Sequence, residues 1–283
     1  MILVDLSQVM ISTIMAQLAG QKVDIDEDLL RHMVLNTIRH NRVKFKEEFG
    51  NDIVICCDSG NVWRKDIFPY YKARRKVDRE ASPLNWNSFF EAMANIREEI
   101  KNNFPYKVIR VERAEADDII AVLVKELHNS EKILILSGDK DYQQLHRYRN
   151  VAQYSPVLKK YVKCNDPEKY LKEHILKGDV GDGVPNVLSD DTVFVQGKRQ
   201  TPLTAKRMAA LMGEEPEKAM NTITLKNYSR NQNLVDFNYI PSYIHDEIME
   251  QYNTPPVTEN RGKLFNYFIA KKLKNLMNDI GDF

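Results

Sequence analysis

The chain has 283 residues, of which 43% are hydrophobic, and its 41 Lys and Arg balance 40 Asp and Glu to a net charge of +1. That allows an ordinary buried core and a main domain plus a smaller one. No run of about 18 apolar residues is present, the first residues lack a basic region and a long apolar stretch, and three cysteines make a poor disulfide framework or zinc site. A soluble, cytoplasmic protein with core thiols is expected.

In chain order, Ile2 to Leu6 reads as a strand that delivers Asp5 at its end. A helix from Ser7 or Gln8 to Ala19 is stopped by Gly20. Asp24 or Asp26 caps a long helix through Phe49, with Leu29, Met33, Leu35, Ile38, Val43 and Phe45 supplying much of its apolar face, and Gly50 ends it. The near-continuous apolar run Ile53 to Cys57 is the pattern of a strand buried on both faces, and it delivers Asp58.

A basic arm follows. Residues 64–79 carry Arg64, Lys65, Lys72, Arg74, Arg75, Lys76 and Arg79 against Asp66 and Asp78. Trp63, Phe68, Tyr70 and Tyr71 interleave with these cations, which suits single-stranded nucleic acid, where bases stack on rings and phosphates meet Lys or Arg. The competing reading is a solvated amphipathic segment whose aromatics pack inward. Residues 74–86 hold few large apolar side chains and Pro83, and read as mobile. A helix is expected from Leu84 to Asn102 and a strand at Val108–Val111.

The stretch from Ala114 to Asp141 is the chemical centre of the pattern. Glu115, Asp117 and Asp118 open a helix, since Ile119, Ile120, Leu123, Val124 and Leu127 follow at helical spacing. Ile133 to Leu136 is a short buried strand, and Asp139 and Asp141 fall just beyond it. Each half has an ordinary explanation, in the helix macrodipole or in turn chemistry. Together with Asp5 and Asp58 they place four carboxylates past strand ends, where α/β sheets build their sites. Two carboxylates about 4 Å apart repel by roughly 4 kcal/mol at an effective dielectric of 20. A site that gathers several needs cations, and oxygen-only ligands suit Mg²⁺ or Mn²⁺.

The β-α alternation predicts an α/β fold, a mostly parallel central sheet flanked by helices. Beyond it, Tyr142 to His146 continues as a short helix, and Val151–Tyr154 and Tyr161–Lys163 pair as strands. A helix over 167–177 leads into the tight turn 177–187, which carries Asp179 and Asp182. Helices are then expected at Leu203–Met212, Glu215–Leu225, Tyr243–Tyr252 and Lys263–Met277. The expected division is an α/β core over 1–164, with the arm at about 63–86, and a smaller helical domain over 165–283. The six histidines read as surface or structural. No Ser-His-Asp set, Walker A loop or Gly-rich dinucleotide turn occurs.

The ordered set Val4-Asp5-Leu6-Ser7-Gln8, Trp63-Arg64, Tyr70-Tyr71-Lys72, Glu115-Ala116-Asp117-Asp118, Gly138-Asp139-Lys140-Asp141 and Ile175-Leu176-Lys177-Gly178-Asp179 with Asp182 resembles the 5′ nuclease (flap endonuclease) superfamily. The likeness spans nearly the whole chain and is nearest to the T-even bacteriophage branch, unrelated to the cellular ribonuclease H fold. The resemblance implies a PIN-like core and a Mg²⁺-dependent 5′ exonuclease or flap endonuclease with ribonuclease H activity. Such an enzyme removes RNA primers and adjacent DNA during lagging-strand synthesis, leaving 5′-phosphate and 3′-hydroxyl ends. It also implies two Mg²⁺ ions, replaceable by Mn²⁺. Asp5, Asp58, Glu115, Asp117 and Asp139 match carboxylates around the first ion, and Asp118, Asp141, Asp179 and Asp182 those of the second-metal region, some through water. Lys72 and Arg75 match the residues that meet the scissile phosphate; Arg64, Tyr71 and Arg74 belong to the same nucleic-acid-binding arm.

Substrates implied are RNA–DNA hybrids and duplex, flap or forked DNA. Implied partners are a single-strand DNA-binding protein and a sliding clamp, with the enzyme itself a monomer. One departure stands out: after Gly183-Val184-Pro185-Asn186-Val187 no Gly-x-Gly follows, so the family's second glycine hairpin and its K⁺ site are not matched. Lys198, Arg199, Lys206 and Arg207 are candidate electrostatic substitutes. Two other readings are a PIN-type ribonuclease, which needs neither arm nor long C-terminal region, and a non-catalytic fork-DNA-binding replication factor.

Overall fold

The computed structural model describes residues 1–18, 25–82, 84–256 and 261–283. Six strands form one sheet: β1 (Ile2–Asp5), β2 (Ile53–Cys56), β3 (Lys107–Ile109), β4 (Ile133–Leu136), β5 (Val151–Ser155) and β6 (Lys160–Val162). The first helices are α1 (Leu6–Leu18), α2 (Glu27–Phe49), α3 (Arg64–Ile67), α4 (Arg74–Glu80), α5 (Trp86–Asn103) and α6 (Ala116–Leu127). Then come α7 (Pro167–Lys177), α8 (Ala205–Gly213), α9 (Pro216–Ala219), α10 (Thr222–Val235), α11 (Ser242–Asn253), α12 (Arg261–Ala270) and α13 (Lys274–Met277). No helix among the described residues is long and apolar enough to cross a membrane.

The chain divides into two compact units: residues 1–60, 83–163 and 242–283 form one, and residues 61–82 and 164–241 the other. The first holds the sheet, in the order β3-β2-β1-β4-β5-β6. Every pairing is parallel except β5 with β6, which form an antiparallel hairpin. All residues of β1, β2 and β4 are buried, which is why these segments read as continuous apolar runs rather than alternating ones. In register, Asp5 lies opposite Cys56 and Val4 opposite Leu136, so β1, β2 and β4 end together on one edge of the sheet.

The helix caps follow local chemistry. The Asp26 carboxylate accepts from the Asp28 and Leu29 amides at the start of α2, and Gly50 ends that helix at φ 84°. The stop expected at Gly20 and the alternative cap Asp24 lie outside the described residues. At α5 the Asn85 side chain accepts from Ser88 N, so the helix begins at Trp86 rather than Leu84. Within the 74–86 stretch lies α4, which buries none of its residues.

A unit boundary falls between Lys163 and Cys164, and the helices from Ser242 onward lie in the sheet-bearing unit rather than with the segment before them. α11 packs on α6 and β3, and Leu264, Phe268, Leu273, Leu276 and Phe283 join the same buried cluster as Phe89, Ile96 and Ile100 of α5 and Phe104 just after it. Glu99 ties these elements: it accepts from Arg31 Nε at 2.6 Å and Tyr267 OH at 2.8 Å, and pairs with Lys271 Nζ at 2.5 Å. Helical periodicity in the sequence states that a face is apolar, not which surface covers it. Two expected helices are also split. Lys272 at φ 54° separates α12 from α13, and Asn221 breaks Glu215–Leu225 by capping α10, which runs on to Val235.

Burial alone would raise the Glu99 pKa, but hydrogen bonds from Arg31, Lys271 and Tyr267 outweigh it and hold the carboxyl below its usual range. A depressed folded pKa stabilises above the unfolded pKa, and that gain disappears as pH falls through the folded value. Glu99→Gln is therefore expected to cost about 1.5–3 kcal/mol at pH 7 in urea melts. The difference from the parent protein should shrink below about pH 4. A constant deficit across this range would remove the charge from the explanation.

In the second unit, Phe68, Tyr71, Ile175, Leu176, Val184, Leu211 and Leu234 form the core. The Asn227 and Asn231 amides donate to the carbonyls of Val187, Ser189, Ile175 and Pro185, and Arg230 donates to Pro185 O and pairs with Asp191. Buried carbonyls of the 184–191 loop are satisfied this way, without the second glycine hairpin.

Candidate metal centre and basic arm

The first unit gathers acids at the shared strand edge. Asp5 is 5% exposed; its Oδ1 accepts from Gln8 N at 3.0 Å and its Oδ2 from Ser137 Oγ at 3.1 Å. The Tyr142 hydroxyl lies 3.1 Å from the same Oδ2 and 2.6 Å from Asp117 Oδ1. A phenol carries one proton, so two carboxylates converge on a single donor. Burial, then repulsion from Asp58 and, less strongly, Asp139, pushes the Asp5 carboxyl up to about 7. Asp58 Oδ1 accepts from Ala116 N at 2.8 Å, which docks the start of α6 beside β2.

Past β4, Asp139 Oδ1 accepts from Asp141 N at 3.0 Å, and the turn is held by Gln153, whose amide donates to the carbonyls of Ser137 and Asp139. Asp141 opens a 3₁₀ turn through Arg147 rather than an α-helix. Asp5, Asp58, Asp117 and Asp139 are thereby brought together. Glu115 and Asp118 are placed differently: they form the capping box of α6, and Asp118, fully buried, accepts from Glu115 N at 2.9 Å. The cap gives Asp118 a structural reason to be acidic.

The donor set fits a hard divalent cation. It is all oxygen, several acids share one edge of the sheet, and burial with repulsion from Asp58 and Asp139 raises the Asp5 carboxyl well above the usual range. Tyr142 and Ser137 escaped sequence reasoning, because a Tyr after an acidic turn has no pattern of its own. Tyr142→Phe leaves Asp5 and Asp117 facing each other without the proton between them. It is expected to cost about 1.5–3 kcal/mol in EDTA and less with Mg²⁺ present, read as two melting curves. An equal loss in both would mean that the hydroxyl does not offset the carboxylate repulsion.

The second unit places the arm on its own acidic turn. Asp182 Oδ2 accepts from Tyr71 OH at 2.8 Å and lies 3.4 Å from Lys72 Nζ, while Oδ1 pairs with Arg75 at 2.5 Å. Lys72 N donates to Asp182 O at 2.7 Å, and this holds Lys72 at φ 57°, a left-handed conformation that costs a non-glycine residue about 1–2 kcal/mol. The turn needs its first glycine, since a Cβ on Gly178, at φ 66°, would collide with the carbonyls of Val184 and Pro185. Asp179 accepts from Asp182 N at 3.0 Å and lies 3.3 Å from His174 Nε2. Burial would raise the Asp179 pKa, but the His174 contact and the turn amides hold it at about 2. His174, taken from the sequence as surface or structural, is thus a neighbour of the acidic turn.

The arm's aromatics mostly face inward. Trp63, Phe68 and Tyr71 are buried and only Tyr70 is exposed, so the stacking surface expected from their interleaving is reduced to one ring. Arg64 is buried too: it stacks on Trp63 with 4.5 Å to the ring centroid and donates to Leu234 O at 2.8 Å. It fastens α3 to α10 instead of facing solvent. Lys65, Arg74, Arg75 and Lys76 are exposed, Arg74 pairing with Asp78 at 3.4 Å. Lys198, Arg199, Lys206 and Arg207 are all exposed.

Comparisons with known proteins give the family and the fold. Residues 3–175 match the family described as "5'-3' exonuclease, N-terminal resolvase-like domain", and residues 166–283 match "T4 RNase H, C terminal". The chain is similar to the ribonuclease H of Enterobacteria phage T4, 38% identical with 99% of this chain and 95% of the other covered. It is 28% identical to the flap endonuclease Xni of Shewanella oneidensis over 44% of this chain and 48% of that one. The fold is shared with the phage T5 5′-exonuclease carrying bound zinc, at TM-score 0.60, 16% identity and coverage of 96% and 98%. A phage T5 flap endonuclease in a pseudo-enzyme–product complex with DNA and metal ions matches at TM-score 0.61, 16% identity and the same coverage.

Proposed function

Because the chain belongs to the 5′-nuclease family that includes phage T4 ribonuclease H, we propose that it is a Mg²⁺-dependent 5′ to 3′ nuclease acting on RNA–DNA hybrids and on duplex, flap or forked DNA. Removal of lagging-strand RNA primers in the host cytoplasm is its biological task, in company with a single-strand DNA-binding protein and a sliding clamp. The observation that carries the reading is the convergence of Asp5 and Asp117 on the one Tyr142 proton, with Asp58 and Asp139 adding charge to the same edge.

Asp5, Asp58, Asp117 and Asp139 hold the first of two ions. Divalent ions bound there supply water activation and charge neutralisation at the phosphate. Tyr142 and Ser137 orient Asp5, and the Asp139–Asp141 turn presents Asp139 from the end of β4. Asp141 serves the second ion, and Asp118 supports the centre by capping α6. Asp179 and Asp182 are second-metal candidates by resemblance; in their own unit they hold His174 and the Lys72–Arg75 pair. Lys72 and Arg75 stabilise charge on the scissile phosphate, and Tyr71 and Arg74 steady the arm on nucleic acid. Arg64 acts from inside, by holding α3.

The deciding experiment uses a 5′-labelled strand, RNA or DNA, annealed to DNA, and a 5′-labelled flap, each with Mg²⁺, Mn²⁺ or EDTA. Short labelled fragments that appear with either metal and are absent in EDTA are expected. A ladder shrinking from the 3′ end would refute the polarity. Tight binding of forked DNA without hydrolysis would make this a non-catalytic replication factor.

A further inference from the structure

Within the sheet-bearing unit, the last turns of α5 and the edge strand β3 face the end of α11 across a cleft of about 300 Å³. Its walls include Arg97, Lys101, Tyr106, Lys107, Arg110 and Gln251. Four cations thus meet one carboxylate, Glu98, which pairs with Arg97 at 3.1 Å. Lys107 is committed to its own wall, donating to Tyr252 O and lying 4.4 Å from the centre of that ring. Lys101 is exposed.

Tyr106 marks the cleft as more than a charged surface. It is 3% exposed, and its hydroxyl has no hydrogen-bond partner among the described residues. An unmet buried polar group costs about 1–3 kcal/mol, and Tyr106 lines the cleft. Strand addition does not fit, because Gln251 closes the edge after β3 by bonding both Arg110 N and Arg110 O at 3.1 Å. The ligand class is an anion rich in acceptors.

Position selects among such anions. Arg110 directly follows β3, and its Nε donates to Asp58 O at 3.3 Å. The cleft therefore begins beside a residue that supplies one of the clustered carboxylates. A strand cut at that edge would carry neighbouring phosphates toward Arg110, whereas an acidic peptide has no reason to be held next to the carboxylates. We propose that the Arg97–Lys101–Tyr106–Arg110 cleft binds the phosphodiester backbone of the nucleic-acid substrate beyond the scissile bond. This rests on the nuclease reading above.

The test measures fluorescence anisotropy of labelled flap DNA in EDTA, with a short and a long duplex, across a salt titration. Arg97→Ala/Lys101→Ala is expected to weaken the long substrate more than the short one, and to shrink its log–log salt slope by about 1.8, at roughly 0.9 per lost phosphate contact. Tyr106→Phe should weaken the long substrate without lowering the melting temperature, since no internal hydrogen bond is removed. An unchanged slope, or equal losses on both lengths, overturns the cleft; Mg²⁺-dependent cleavage by the same variants then leaves the nuclease reading intact. A labelled oligoglutamate peptide that loses affinity for the variants while DNA binding is unaffected would also overturn it, in favour of a protein-binding surface. Parent protein that binds neither DNA overturns both readings.

Discussion

Asp117→Asn and Asp139→Asn, made singly, are expected to lower Mg²⁺-dependent cleavage by about 10³-fold or more, beyond the ~10–100-fold typical of groups outside the ligand set. Asn is nearly isosteric with Asp, so the hydrogen bonds survive. An amide oxygen at 117 still accepts from Tyr142 OH, and one at 139 still accepts from Asp141 N. What is lost is one negative charge from a cluster in which burial, then repulsion from Asp58 and Asp139, already pushes Asp5 up to about 7. Removing that charge relieves the repulsion, so both variants should melt no lower than the parent in EDTA and gain less from added Mg²⁺. DNA affinity measured without metal should be largely kept, because fewer acids face the phosphates. Near-normal turnover in either variant would dismiss that residue as a ligand.

Lys72→Ala should slow cleavage by roughly 10²–10³-fold under single-turnover conditions with saturating enzyme, the size typical of losing one preorganised electrostatic contact. Lys72 is preorganised by an unusual backbone: it sits at φ 57°, pinned through Asp182 O, with its ammonium 3.4 Å from the Asp182 carboxylate. Lys72→Arg, which keeps the charge but not the reach, should recover only part of the rate. A defect confined to the binding constant would move Lys72 from chemistry to docking. Asp182→Asn offers the complementary measurement. It weakens the hold on both Lys72 and Arg75, so the parent's difference between Lys72 and Lys72→Ala should narrow in that background.

Much of the centre was legible because its logic is covalent. Asp5, Asp58 and Asp139 each follow an apolar run short enough to be only a strand, and parallel strands end on a common edge. Asp117 could be placed with them since the helix period begins at its neighbour. The basic arm was legible as charge but not as orientation. Trp63, Arg64, Phe68 and Tyr71 follow one another in a pattern that fits base stacking and core packing equally, and only the apolar surfaces of α7 and α10 decide for packing.

By itself the sequence determined the order of strands and helices, the stop at Gly50, and the delivery of acids past strand ends, since these depend on neighbours a few residues apart. The tertiary structure alone decided the rest. It decided that Tyr142 stands between Asp5 and Asp117, that Asp182 gathers Tyr71, Lys72 and Arg75, and that residues 242–283 complete the sheet unit. Each of these joins side chains that are far apart along the chain or whose orientation local preference leaves open. Burial of apolar faces selects among such pairings, and it is a property of the surface that covers a segment, which the segment does not encode.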